Sequence, residues 1–113
     1  MKVYHLEDKN DSLEDDATFV LYSKVAHRSD SDIAKQILDG KIENLFYNHV
    51  ANVDSTSLDH VFMLTNSIDE YWGENVGVED LTTGCRSTSV GDIIEDNAGA
   101  KFLVCDLGFK EIV

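Results

Sequence analysis

The sequence predicts an α+β fold, with two short helices packed on a twisted antiparallel sheet whose last strands form a β-meander. Three observations lead there. Two apolar stripes at helical spacing, each preceded by a row of capping residues, mark the helices. Runs rich in β-branched and aromatic residues lie before and between those stripes. After Cys85 the pattern changes to short apolar runs divided by Gly, Asn, Asp and Ser, the punctuation of hairpins. The chain has 113 residues, 42% of them hydrophobic, enough for one domain spanning residues 1–113 with its own core.

Met1 to Leu6 reads as a strand, with Val3 and His5 on one face and Tyr4 and Leu6 on the other. Residues 7–16 are polar and acidic, the composition of a mobile loop. Thr18-Phe19-Val20-Leu21-Tyr22 is rich in β-branched and aromatic side chains and reads as a strand; a helix competes, because Thr18, Leu21, Tyr22 and Val25 also share one helical face. Ser29-Asp30-Ser31-Asp32 offers N-caps to a helix carrying Ile33, Ala34, Ile37 and Leu38, and Gly40 stops it. Leu45 to Val53 reads as a strand. Asp54-Ser55-Thr56-Ser57 then caps a second helix with Leu58, Val61 and Phe62 on its buried stripe, fading near Asn66. Residues 66–84 read as an irregular segment with Trp72 as its anchor. Residues 87–92 form a turn into Ile93-Ile94, Asp96-Asn97-Ala98-Gly99 a hairpin turn, and residues 101–106 the returning strand. Residues 107–113 close the chain as a turn and strand, with a bend or bulge at Gly108.

Charge is the strongest functional signal. Twenty-two acids face nine Lys and Arg, a formal net charge of −13. Nucleic acid is a poor direct ligand, and none is expected, because phosphate recognition needs Lys and Arg. An anionic membrane surface is excluded for the same reason. Between Lys41 and Arg86 there is no Lys or Arg, only Glu43, Asp54, Asp59, Asp69, Glu70, Glu74, Glu79 and Asp80. Such acids either keep the surface solvated or form a one-signed face that steers a basic partner. Tyr71 and Trp72, set among these acids, have the chemistry of an interface hot spot. These ten residues are the expected partner-binding set.

No catalytic constellation and no cofactor motif stands out. Arg86, Ser87, Ser89, Gly91 and Asp92 read as a structural turn: hydroxyls bond local backbone, Gly91 takes a conformation other residues avoid, and Arg86 pairs with Asp92 or with the acids of residues 66–80. His49 and His60, on adjacent elements, are the pair in reach of each other for zinc or proton sensing, but no metal-ligand spacing accompanies them. Cys85 and Cys105 lack a C-x-x-C partner and read as reduced thiols. No apolar run is long enough to span a bilayer, and Met1 to Leu6 does not read as a signal peptide, so the expected location is the cytoplasm.

Leu64-Thr65-Asn66, Ile68-Asp69, Trp72, the block Arg86-Ser87-Thr88-Ser89-Val90-Gly91-Asp92, and Gly108-Phe109-Lys110-Glu111-Ile112 form a pattern across residues 45–113. That pattern resembles a group of small uncharacterised bacteriophage proteins and is similar to YodL-like domains of mobile-element proteins. Where those relatives often carry Asn-His-Ile-Asp-Arg, this chain has Asn66-Ser67-Ile68-Asp69-Glu70 and so lacks both the His and the cation. The resemblance implies a phage or mobile-element origin, with the host cytoplasm as the place of action. The resulting expectation is a phage-encoded binding protein that inhibits a host protein of antiphage defence or nucleic-acid handling by occupying its basic surface, with DNA mimicry as one form. The alternatives are a self-associating phage protein, pairing as a homodimer through a sheet edge near residues 101–113, and a small metal-binding protein or enzyme.

Overall fold

A computed structural model describes residues 1–67 and 69–113; Ile68, which belongs to the expected irregular segment and to the resemblance, lies outside the described residues. Among the described residues, six antiparallel strands form one sheet in the order β3-β2-β1-β4-β5-β6. They are β1 (Lys2–Asp8), β2 (Leu45–Val53), β3 (Val78–Asp80), β4 (Ile93–Glu95), β5 (Lys101–Cys105) and β6 (Gly108–Ile112). Three helices among the same residues, α1 (Asp16–Ala26), α2 (Ser31–Leu38) and α3 (Leu58–Thr65), cover its faces. The α+β architecture and its C-terminal meander β4-β5-β6 agree with the sequence reading.

The sheet separates two cores. Leu6, Val25, Ala34, Ile37, Leu45, Ile93 and Leu103 fill the layer under α1 and α2. Val3, Val50, Ala51, Val53, Val61, Trp72, Ile94 and Val104 fill the layer under α3. Neighbouring residues such as Ile93 and Ile94 serve opposite layers because side chains alternate across a strand. A bulge modifies this rule in β2: Val3 pairs with Ala51 and Tyr4 with His49, leaving Val50 as the extra residue. The bulge reverses the facing of odd-numbered residues, so Leu45 and Tyr47 meet the α1–α2 layer while Ala51 and Val53 meet α3.

One strand expectation fails. Thr18–Tyr22 is helical, inside α1, giving three helices where two were expected. Asp15 caps α1, its carboxylate accepting from Thr18 N–H at 3.0 Å, and Thr18 and Val25 point inward. Cap geometry and tertiary packing override the β propensity of the run. The expected caps of the other helices form: Asp30 accepts from Asp32 and Ile33 N–H, and Ser57 from His60 N–H. Residues 7–16, expected as loop, include regular structure. β1 runs on to Asp8, a 3-10 turn covers Ser12–Glu14, and Lys9 N–H donates to Asn44 O at 2.8 Å. Within the expected irregular segment lie a 3-10 turn at Trp72–Glu74 and the edge strand β3. Gly108, at φ +99°, is the first residue of β6 and closes the tight turn from β5.

Candidate functional site

The acid-rich segment wraps the β3 edge of the sheet. Asp54, at the end of β2, donates its N–H to Gly77 O at 2.9 Å, and β3 pairs with Ala51, Asn52 and Val53. Asn75 ties the segment to the end of α3, its amide donating to Leu64 O at 2.7 Å and to Ser67 Oγ at 3.1 Å. The Tyr71 hydroxyl donates to Asp80 Oδ2 at 2.8 Å, which folds residues 69–74 back against β3. Asp54, Asp69, Glu70, Glu74 and Glu79 are exposed around this edge, and Asp80 is half-buried. No ion pair among the described residues involves any of them. Val76 and Leu81 are exposed beside them.

The expected set is therefore only partly gathered. Glu43 sits before β2 in a cavity of ≈ 680 Å³ that also holds Lys9 and Lys41. The length of β2, roughly 27 Å, separates it from Asp54. Asp59 lies on the first turn of α3 and faces the β5–β6 turn near Asp106 and Phe109. Trp72 is 1% exposed, its indole N–H donating to Cys85 O and Arg86 O, so it is a core plug and presents no surface to a partner. A buried indole satisfies its single donor in this way, and the ring then contributes packing against Tyr71 at 5.2 Å and His5 at 6.2 Å. Asp80 is built in as well. Burial pushes its carboxyl up, but donation from Thr82 N–H, the Tyr71 hydroxyl and the Thr82 hydroxyl outweighs this and holds it below the usual carboxylate value.

The Arg86–Asp92 segment is a buried staple. Asp92 is 0% exposed and accepts from Leu6 N–H at 2.8 Å, Ser89 N–H at 2.8 Å and the Arg86 fork at 2.6 and 2.8 Å. Arg86 also donates to Leu6 O at 3.0 Å, so one guanidinium joins the turn to β1. Thr88 N–H donates to Thr65 O, and the Ser87 hydroxyl donates to Ser67 O. Gly91 has φ +96°, and a Cβ there would stand 2.9 Å from Ala26 Cα, so only glycine fits under α1. Of the two partners open to Arg86 in the sequence, the structure selects Asp92, which leaves the acids of residues 69–80 without this cation.

A thiol–imidazole contact escaped the sequence reading. Cys85 Sγ lies 3.8 Å from His5 Nδ1, and His5 Nε2 lies 2.9 Å from Thr88 Oγ1 and 3.8 Å from Asp92 Oδ2. The alternation of β1 placed His5 on the Val3 face; nothing local tied it to a residue 80 positions away. Nucleophilic chemistry would need a thiolate beside an imidazolium. Burial instead pushes the Cys85 thiol up and the His5 imidazole down, so both stay neutral at pH 7. His5 is 1% exposed, and the contact is core packing. His49 and His60 engage separate neighbours: His49 stacks on Tyr4 and contacts Asn52, and His60 contacts Ser55. No helix among the described residues is long and apolar enough to cross a membrane. Comparison with protein families, curated proteins and solved structures finds no significant match to this chain.

Proposed function

We propose that this chain is a small binding protein that inhibits a basic host protein by occupying its surface, with the β3 edge and residues 69–74 as the contact face. The observation that carries this reading is the set of five exposed acids around one sheet edge, Asp54, Asp69, Glu70, Glu74 and Glu79, with no ion pair to any of them among the described residues. Protection of an exposed strand edge asks only for charge on the strand itself. Here the acids extend well beyond β3, onto the end of β2 and the turn before Trp72. One-signed potential of this kind raises association rates with an oppositely charged partner and repels wrong ones. The basic groove of a nucleic-acid-handling enzyme is the complementary surface, and occupying it would be DNA mimicry. The resemblance of residues 45–113 to small phage proteins supports placing that partner in an infected host.

The test is affinity capture from host lysate with the tagged chain and with an Asp69→Asn, Glu70→Gln, Glu74→Gln variant. Exposed charge pairs contribute about 0.2–1 kcal/mol each, so the variant should bind the captured protein about tenfold more weakly. Raising salt from about 0.05 to 0.5 M should weaken the native complex steeply, because the screening length falls well below the reach of the field. A complex indifferent to both changes would overturn the proposal.

A further inference from the structure

α1 buries one face and carries a small exposed apolar patch, Phe19 and Val20, on the other. Thr18, Leu21, Tyr22 and Val25 turn toward the sheet. At 3.6 residues per turn, Asp16, Val20, Ser23 and His27 fall on the opposite stripe, flanked by Phe19 and Lys24. Phe19 and Val20 are 52% and 51% exposed. A surface helix ordinarily carries polar residues throughout that side, and here two adjacent positions are large and apolar. Phe19, Val20, Ser23, Lys24 and Arg28 line a depression of ≈ 210 Å³ on the outer surface. The hydroxyl of Ser23, one of these lining residues, is the one buried side-chain oxygen or nitrogen without a hydrogen-bond partner among the described residues.

The charges along the stripe are arranged for a second copy. Asp16 stands at the N-terminal end; Lys24, His27 and Arg28 stand at the C-terminal end; all are exposed and none is ion-paired among the described residues. An antiparallel crossing of two α1 helices, with its two-fold axis between Val20 and Ser23, sets Asp16 beside His27 of the partner subunit. The same crossing sets Val20 over Ser23 of the partner subunit and Phe19 along the stem of Lys24 of the partner subunit. Such a face is self-complementary, as an isologous interface must be. The β6 edge is a poorer candidate. In the register that overlaps the whole strand, two-fold antiparallel pairing of β6 with itself sets Lys110 against Lys110 at the centre.

We propose that the chain forms a two-fold homodimer through the outer face of α1. An 11-residue helix spans roughly 16 Å, so the contact belongs with the small, weak interfaces of less than about 1,200 Å². The net charge of −13 on each copy opposes association, and moderate salt relieves that repulsion.

Sedimentation equilibrium from about 10 μM to 1 mM tests this, because contacts of this size dissociate in that range. The native chain should pass from monomer to dimer across the series. Val20→Glu, at a half-exposed position, should keep native circular dichroism and weaken association at least tenfold. Asp16→Lys should also weaken it, even though it lowers the overall repulsion, and Lys24→Glu/Arg28→Glu should do the same. Mixing these two charge variants should restore a dimer, because the basic face of one then meets the acidic face of the other. A native chain that stays monomeric to the top of the series overturns the proposal. So does a dimer that Val20→Glu leaves intact, or a mixture of charge variants that stays monomeric.

Discussion

Replacing Asp92 with Asn tests the staple that holds the C-terminal half to β1. The carboxylate is fully buried and receives four donors: Leu6 N–H and Arg86 Nη2 on one oxygen, Ser89 N–H and Arg86 Nη1 on the other. Asparagine fills the same volume but presents one oxygen and one NH2. Whichever way the amide turns, two donors then face a donor. A buried donor left unmet costs about 1–3 kcal/mol, and removing one partner of a buried ion pair costs about 3–5 kcal/mol. Arg86 is 41% exposed and recovers part of its hydration, which places the expected loss near the lower end, about 3 kcal/mol. Domains of this size have about 5–15 kcal/mol in all, so Asp92→Asn should remain folded but with a much lower urea midpoint. Combined with Arg86→Met in a double-mutant cycle, the coupling between the two sites should be about 2 kcal/mol. A loss below about 1 kcal/mol, or a coupling near zero, would show that the staple does not hold the fold together.

Further outcomes follow from the same geometry. Gly91→Ala should cost about 2–4 kcal/mol, because its Cβ meets Ala26 backbone as well as an unfavourable φ, whereas Gly99→Ala, at φ +91° with nothing within 4 Å, should cost only about 1 kcal/mol; urea melts of the two variants separate contact from conformation. Burial holds the His5 imidazole below its ordinary value, although the Asp92 carboxylate pulls the other way, so the unfolded chain binds a proton that the folded chain excludes. Stability should accordingly decline as pH falls below about 6.5, and His5→Gln should flatten that decline; a native chain equally stable at pH 7.5 and 5.5 would contradict the assignment. Asp15→Ala and Ser57→Ala, which remove helix N-caps, should each cost about 1 kcal/mol by the same urea measurement.

Local chemistry was legible in the sequence, and long-range chemistry was not. Asp30 and Ser57 cap the helices assigned to them, and Asp96 and Gly99 make their hairpin turn, because each needs only neighbours within a few residues. The faces of β1 were legible too, since alternation alone separates Val3 and His5 from Tyr4 and Leu6. α1 was misread for a physical reason. Phe19 and Val20 break the amphipathic stripe, and an apolar run without a polar side looks like a strand. β3 was missed because three residues with one apolar side chain carry no periodic signal; β2 pairing creates it. Trp72 was open to two readings, the anchor of its own segment and an interface hot spot, and its burial with the indole N–H on the carbonyls of Cys85 and Arg86 decides for the first. The acidic segment divided for the same reason: sequence proximity grouped Glu43 and Asp59 with the others, and the path of β2 and α3 carried them to different places.

The claim that the β3 edge is a recognition surface is most directly tested by titrating the isotope-labelled chain with a Lys- and Arg-rich extended peptide and following amide chemical shifts. Saturable changes concentrated at Asp54, Asp69 to Glu74 and Val78 to Leu81, and lost at high salt, are the expected result. Changes of equal size at the acids of residues 11–16 and 106–111 would mean that the negative charge acts diffusely, and that the grouping of carboxylates at this edge selects nothing.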